Sequence, residues 1–555
     1  MNKTPDVTVQ YVNEVKCKIV ASREIMYALK DKFSFFANGY KFTPKFKMGV
    51  WDGKISMIDG KGLFYNGLLK ALLQYCKEKG LTIKVEEISR YMPDKIEDSL
   101  IEILSKYVRF SPYDYQLKSV KEALSKRKLL ILSPTSSGKS CMQYMLYRYC
   151  VDNNMKLLIT VPSTSLCEQL YSDFEDYVSD DHVVSDHVAK LYGGQDKTVD
   201  KLVYISTWQT CSNMDKEWLS QFEFYIADEA HQAQAKELSS IIDSLENCRY
   251  RIGLTGTLNG TSIHELEMHA RFGEIFKMIT TRELIERGIV TDININMVRL
   301  THEKSDVDFF HSICKNDYQR EIDYIISSEN RNKYIVNLGL TLSTNTLLLF
   351  NRIDAHGMKL YEMMQAEAVK HKKKIFYITG SVKTKDREII RKSLDSDLPL
   401  FYDITLENGT IVTVDGEFYD LNKVKDLIGK TFKSEMFTDD HLYIGGETNS
   451  IVTDVNAVEG SFNLLATYGT LAVGVNIKRL HNLVFCHPFK ARILNLQSIG
   501  RLLRKSEVKS KVYLYDLIDD YRKGKKTNHA YKHAVNRMEI YEEEGFEYDI
   551  IEQRI

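Results

Sequence analysis

Residues 129–140, Leu-Leu-Ile-Leu-Ser-Pro-Thr-Ser-Ser-Gly-Lys-Ser, constrain this chain more than any other stretch. An apolar run stops abruptly at a loop of small residues that closes on Gly138, Lys139 and Ser140. A strand that enters such a loop and leaves it as a helix makes a cradle for phosphate. Backbone N–H groups from Thr135, Ser136, Ser137 and Gly138 onward converge on the anion, and the helix points its positive end there. Lys139 adds a point charge, and the Ser140 hydroxyl can ligate Mg²⁺. The chain departs from the full GxxxxGK[ST] pattern, because Ser133 stands where the first glycine is expected. An ordinary strand-to-helix turn is the bland alternative, so the weight falls on what accompanies the loop.

Length and charge bound the company it can keep. With 555 residues the chain has room for about three or four domains. Its formal net charge of -1 gives no global electrostatic case for nucleic acid, so any such case has to be local. The nine cysteines never form a C-x-x-C pair, which removes zinc ribbons and dithiol redox sites and suits a reducing compartment. No apolar run approaches the roughly 18 residues of a membrane span. The N-terminus has no signal-peptide core, so the expected compartment is cytoplasm and no membrane partner is expected.

The local case lies near the N-terminus. Between Lys30 and Lys54, lysines 30, 32, 41, 45, 47 and 54 interleave with Phe33, Phe35, Phe36, Tyr40, Phe42, Phe46 and Trp51. Cations hold a phosphate backbone while aromatic faces stack on bases or wedge a duplex, and Phe35, Phe36 and Lys45 are the candidates singled out. The competing reading is a small β-rich core with solvated lysines between its aromatics. Both hold at once if alternation sends the two sets to opposite faces. One helix before the phosphate loop, Gln116 carries an amide whose oxygen and NH₂ match the edge of adenine.

Beyond the loop the chain alternates strand and helix in the manner of a parallel sheet. Segments 157–161 and 202–205 are strands whose ends carry hydroxyls and amides, among them Thr164, Thr207 and Gln209. Strand 224–227 runs into Asp228-Glu229-Ala230-His231, and strand 251–254 into Thr255-Gly256-Thr257. An acidic pair at a strand end, in the same domain as a phosphate loop, has a simple chemical use. Asp228 holds Mg²⁺ through water, and Glu229 orients or deprotonates the attacking water.

In this order these segments resemble motifs I, II and III of superfamily 2 helicases, whose motor is a pair of RecA-like domains. Asn345 to Arg352 resembles motif IV, and Thr467 with Gly474 and Asn476 resembles motif V. Gln497-Ser498-Ile499-Gly500-Arg501-Leu502-Leu503-Arg504 matches the motif VI pattern QxxGRxxR. The N-terminal aromatic stretch, Phe272 to Lys277 and Tyr515 to Asp520 narrow the likeness to the UvsW-type recombination helicases of tailed phages. That resemblance implies an α/β architecture of two RecA-like parallel-sheet domains in tandem with a small α+β N-terminal domain. The expected divisions are 1–92, 93–284, 285–522 and a basic helical tail over 523–555. ATP and Mg²⁺ would be the cofactors, with Lys139, Ser140, Asp228, Glu229, Arg501 and Arg504 as the ATPase set, Gly474 and Asn476 beside the nucleotide, and Gln116 reading adenine. Thr164, Thr207, Gln209, Arg352 and Thr467 would face the nucleic-acid strand. His231, Thr255, Thr257 and Gln497 would couple the two activities. The implied substrates are branched DNA, forks, Holliday-type junctions and R-loops, in recombination, replication and repair, with replication and recombination proteins as possible partners and an infected bacterial host as the setting. Two other readings are an ATP-gated strand-annealing protein and a duplex translocase that separates no strands.

One region departs from that family pattern. Residues from about 398 to about 457 intervene before the motif V strand, and their Asn408-Gly409 and Asp415-Gly416 pairs, flanked by alternating apolar residues, signal hairpins. This is a β-rich insertion in the second motor domain. Lys139→Ala is expected to abolish ATP turnover and leave DNA binding largely intact. Phosphate release measured beside fluorescence anisotropy checks both, and unchanged turnover refutes the assignment.

Overall fold

The structure, a computed structural model, describes residues 4–37, 39–193, 200–232, 235–256, 262–380, 401–415, 425–431, 450–458, 460–469, 477, 479–488, 499–500, 502–503 and 511–555. The chain divides into two compact units, Met1–Thr280 and Thr281–Ile555.

The first unit begins with β1 (Val7–Tyr11), β2 (Lys16–Ala21), β3 (Ser34–Phe36), β4 (Lys54–Ser56), β5 (Leu63–Tyr65) and β6 (Ile83–Val85). Four of these make a mixed sheet in the order β5-β2-β1-β6, while β3 and β4 pair as a separate antiparallel hairpin. Alternation in β1 and β2 buries Val7, Val9, Cys17 and Ile19 against the helix Leu69–Glu78 and sends their lysines outward. Next come β7 (Lys128–Leu132), β8 (Leu157–Val161), β9 (Val188–Leu191), β10 (Val203–Thr207), β11 (Phe224–Ala227), β12 (Tyr250–Thr255) and β13 (Glu274–Lys277). They form one parallel sheet ordered β13-β7-β12-β11-β8-β10-β9. Helices cover both faces of such a sheet, which is why its strands read as continuous apolar runs rather than alternating ones.

The N-terminal sheet is docked on the parallel one by a fully buried guanidinium. Arg251 of β12 donates from Nη1 to the Glu14 carbonyl at 2.5 Å and from Nε to the Arg271 carbonyl at 3.2 Å. Tyr65 donates to Asp243 at 2.8 Å across the same seam. At Gly67 a Cβ would sit 2.3 Å from the His269 carbonyl oxygen, so only glycine permits this backbone approach.

The second unit holds β14 (Asp292–Thr301), β15 (Thr346–Phe350), β16 (Lys373–Ile378), β17 (Phe401–Leu406), β18 (Ile411–Asp415), β19 (Val452–Val458), β20 (Ser461–Thr467), β21 (Asn482–Phe485), β22 (Lys511–Asp520) and β23 (Tyr548–Arg554). Seven make another parallel sheet in the order β16-β20-β15-β21-β22-β14-β23. The other three, β18-β17-β19, form an antiparallel sheet within the expected insertion, and Asn408-Gly409 makes the tight turn between β17 and β18. Tyr402, Ile404, Leu406, Val412, Val452 and Val455 give that insertion its own core.

The tail differs from a plain basic helix. Helix His529–Glu543 is followed by β23, which adds to the sheet edge beside β14. Six of its seven residues are exposed, so no apolar run or clean alternation marked it as a strand. The helix is fixed by Asp516 of β22, which accepts from Arg537 Nε at 2.7 Å, Arg537 Nη2 at 2.6 Å and the Tyr541 hydroxyl at 2.8 Å. All three side chains are buried. Asp516→Ala leaves the Arg537 charge without its partner and is expected to cost about 3–5 kcal/mol. Denaturant unfolding of the second unit, followed by hydrogen exchange in the helix His529–Glu543, reads this loss; a midpoint unchanged from wild type rejects it.

Candidate functional site

Three neighbouring strands of the first parallel sheet carry the candidate residues at their C-terminal ends. β7 feeds the phosphate loop, β11 feeds Asp228 and Glu229, and β12 between them ends at Thr255. The edge where strand ends meet loops is where open parallel sheets take ligands.

The loop backbone is strained in a directed way. Ser136 and Gly138 are both left-handed, with φ of +67° and +80°. Left-handed residues at alternate positions curl successive N–H groups into a concavity that suits an anion. A Cβ at Gly138 would lie 2.1 Å from Gln116 Nε2, so the loop and the glutamine pack as one piece. Gln116 is buried; its amide donates to the Ser137 carbonyl at 3.1 Å, and its oxygen accepts from the Tyr113 N–H at 2.8 Å. Each polar atom of that amide keeps one further bonding position. The hydroxyls of Ser133 and Ser137 bond each other, which gives Ser133 a side-chain role that the expected glycine could not have. Thr135 is half-buried at the start of the turn.

Charge is concentrated beside the loop. Lys139 Nζ lies 3.1 Å from Glu229 Oε1 and 3.5 Å from the Ser133 carbonyl. Glu229 is itself left-handed, with φ of +47°. Burial opposes the ionised form of Glu229, but Lys139 and His231 outweigh it and hold the carboxyl below its ordinary range. Asp228 goes the other way. Burial first, and the Glu229 charge second, push it up to about 6, against the pull of Lys139 and hydrogen bonds from the Glu229 N–H and Gln143. His231 Nδ1 sits 2.7 Å from Thr255 Oγ1 and 3.4 Å from Glu229 Oε2, so the acidic pair is tied to the end of β12. Ser140 Oγ lies 2.8 Å from the Tyr177 hydroxyl.

Two orphaned atoms test whether these residues fit a nucleotide and its metal. Ser136 Oγ and Glu229 Oε2 are buried and make no hydrogen bond, Glu229 Oε2 having only the 3.4 Å contact with His231. Buried polar atoms left so are rare unless a ligand or water meets them. With the anion-type backbone at 136–138, the Ser140 hydroxyl and the Asp228 carboxylate, they match a phosphate chain carrying a divalent cation. Gln143 and Tyr177 belong to this site and were not singled out from sequence. Gln143 had a signal, one helical turn after Lys139 on the same face; Tyr177, 37 positions from Ser140, had none.

Thr164, Thr207 and Gln209 lie farther along the same sheet edge. Thr164 is exposed at the start of the helix after β8, and Gln209 is exposed after β10. Thr207 is buried, and its hydroxyl caps the turn that follows, accepting from the Thr210 N–H at 3.3 Å. In the second unit Thr467 ends β20 and is buried, while Arg352, past the end of the adjacent β15, is exposed and 4.0 Å from Asp323. Phe35 is half-buried against the N-terminal core, Phe36 stacks on Tyr40, and Lys45 is exposed. Thr257, Gly474, Asn476, Gln497, Arg501 and Arg504 lie outside the described residues.

A phosphate loop and an Asp-Glu-Ala-His turn on flanking strands of one parallel sheet, with a second parallel sheet downstream, define the motor of superfamily 2 helicases. Comparison with known proteins agrees. The family model for the res subunit of type III restriction enzymes matches residues 109–260, and that for the N-terminal part of DNA helicase UvsW matches residues 6–86. The ATP-dependent DNA helicase UvsW of Enterobacteria phage T4 is 31% identical over 568 positions, spanning 98% of this chain and 98% of that protein. The chain belongs to the UvsW family of DNA helicases. The crystal structure of T4 UvsW aligns over 99% of both chains at 28% identity with a TM-score of 0.46. A DNA-bound type ISP restriction-modification enzyme, LlaBIII, shares the fold over 86% of this chain and 34% of its own, at 13% identity and a TM-score of 0.52.

Asp228→Asn tests the electrostatics directly. In the unfolded chain Asp228 ionises near 3.8, in the folded protein near 6, so folding favours its protonated form. The resulting penalty is absent below pH 4, grows between pH 4 and 6, and stays constant above, at on the order of 2–3 kcal/mol. The variant is therefore expected to be more stable than wild type in nucleotide-free, metal-free buffer at pH 8, with the gain fading toward pH 4, and to lose ATP turnover. Thermal melts across that range read the sign; a loss of stability at pH 8 contradicts it.

Proposed function

We propose that this protein is an ATP-dependent DNA helicase and translocase that unwinds or branch-migrates forks, Holliday-type junctions and R-loops during recombination, replication and repair in an infected bacterial host. The observation that carries the reading is the convergence of Lys139, Asp228, Glu229, His231 and Thr255 on three neighbouring strand ends, in a chain related over its whole length to a phage DNA helicase.

Each residue has a role that its chemistry suits. The loop backbone from Thr135 to Gly138 and the Lys139 ammonium would hold the β- and γ-phosphates, and Gln116 would orient the base through its remaining amide positions. Ser140 and Asp228 would hold Mg²⁺, which supplies Lewis-acid charge to the phosphoryl oxygens. Glu229, kept ionised by Lys139 and His231, would orient the attacking water and accept its proton. Arg501 and Arg504 would neutralise charge on the transferring phosphoryl, Gly474 and Asn476 would contact the nucleotide, and Gln497 would couple hydrolysis to movement. The His231–Thr255 contact joins the proposed water-activating carboxylate to the end of β12, a route by which hydrolysis would reach the strand-end residues, a coupling role that Thr257 would share. Thr164, Gln209 and Arg352, all exposed, are suited to phosphates of a nucleic-acid strand; Thr207, buried, would shape the turn that presents Gln209, and Thr467, buried, ends the strand beside the one that leads to Arg352.

One experiment separates this function from its rivals. ATP hydrolysis and strand displacement are measured on single strands, duplex, fork, four-way junction and R-loop. A helicase of this kind hydrolyses ATP fastest on branched substrates and displaces strands from them only with ATP. Displacement or annealing that is indifferent to ATP hydrolysis favours an ATP-gated annealing protein. Hydrolysis on plain duplex with no displaced strand favours a duplex translocase.

A further inference from the structure

The four most exposed large hydrophobic side chains among the described residues all lie between positions 27 and 50: Phe42 at 81%, Tyr27 at 78%, Val50 at 75% and Met48 at 68%. Isolated exposed apolar residues need no explanation, but three of the most exposed ones in a single excursion do. Phe42, Met48 and Val50 sit between β3 and β4, whose register pairs Phe36 with Lys54.

The excursion is built to hold those three outward. Phe36 stacks on Tyr40 with ring centroids 4.7 Å apart, and Tyr40 meets Phe46 edge-on at 4.8 Å. Trp51 donates from Nε1 to the Lys54 carbonyl at 2.8 Å. Thr43 caps the short helix Pro44–Lys47, and the Val50 N–H returns to the Lys45 carbonyl at 3.0 Å. Phe36, 45% exposed, Tyr40, Phe46 and Trp51 thus engage one another or the backbone within the segment, while Phe42, Met48 and Val50 are the more exposed. Charge surrounds them. Residues 30–54 carry six lysines against two aspartates, in a chain of net charge -1. Asp31 is already paired with Lys54, and Lys41, Lys45 and Lys47 have no acidic partner among the described residues.

We propose that residues 40–50 form a pin that enters the branch point of duplex DNA, with Phe42, Met48 and Val50 against the terminal base pair and Lys41, Lys45 and Lys47 on the flanking phosphates. This rests on the helicase reading above and assigns the strand-parting element within it. Apolar side chains inserted at a base step unstack it, and lysines beside them bind the backbone without regard to sequence. Charge complementarity selects this occupant. A protein partner is disfavoured because three apolar side chains fall far short of the roughly 20 residues per side of a stable protein interface.

The test uses the full chain with Phe42, Met48 and Val50 all changed to Ala, a variant that removes no buried contact. Base pairs parted per ATP hydrolysed on a forked duplex are expected to fall about tenfold, in keeping with the loss of one stacked base contact. A 2-aminopurine at the terminal pair should brighten when wild-type protein binds and stay dark with the variant, and Phe42→Trp in the variant background should restore part of the signal. Changing Lys41, Lys45 and Lys47 to Ala should lower the slope of log affinity against log salt by roughly 2–3. Wild-type parting per ATP in the apolar variant, with or without lost self-association or lost binding to another protein, overturns the pin and leaves the motor reading standing. If wild-type protein itself hydrolyses no ATP on any DNA, both fall together.

Discussion

Two carboxylates and one ammonium share a buried strand edge, and that imbalance governs the site. Lys139 neutralises Glu229 at 3.1 Å. Asp228, one residue away, is left to carry a charge that its surroundings oppose. Inside a protein such an excess costs far more than in water, because the dielectric that would dilute it is missing. The arrangement is therefore short of positive charge and long on acceptors, which is the electrostatic complement of a divalent cation bound to phosphate. The strained backbone at Ser136 and Glu229 places these groups where side-chain rotation alone could not.

That same edge explains how much could be read from residues. A doubly covered parallel sheet demands continuous apolar strands, so 129–132, 157–161, 202–205 and 224–227 announced themselves, and the residues just past each strand sit by topology at the edge where open parallel sheets take ligands. The phosphate loop and Asp-Glu-Ala-His turn were legible because each is local. Contacts made across the fold were not. Tyr177 reaches Ser140 from a different helix, and Ser133 compensates for a missing glycine with a hydroxyl that bonds Ser137. Gln116 was legible as an important amide, though not as one that braces the loop through the Ser137 carbonyl.

The N-terminal segment shows a different limit. Its composition pointed to cations among aromatics, yet period-two alternation cannot say which aromatics become scaffold. Phe36, Tyr40 and Phe46 pack on each other, and the residues left outside include Met48 and Val50, which an aromatic tally passes over. Strand β23 escaped for a related reason: an edge strand exposed along its length has no buried face to impose a pattern.

Arg251 has a mechanical corollary. Its Nε and Nη1 bond the carbonyls of Glu14, Cys248 and Arg271, and Gly67 lets two backbones touch where any larger residue would hold them apart. Those contacts tie the two sheets together. A displacement of the sheet that carries Lys139 is therefore expected to take the N-terminal sheet with it, as a wrench delivers torque to its jaw.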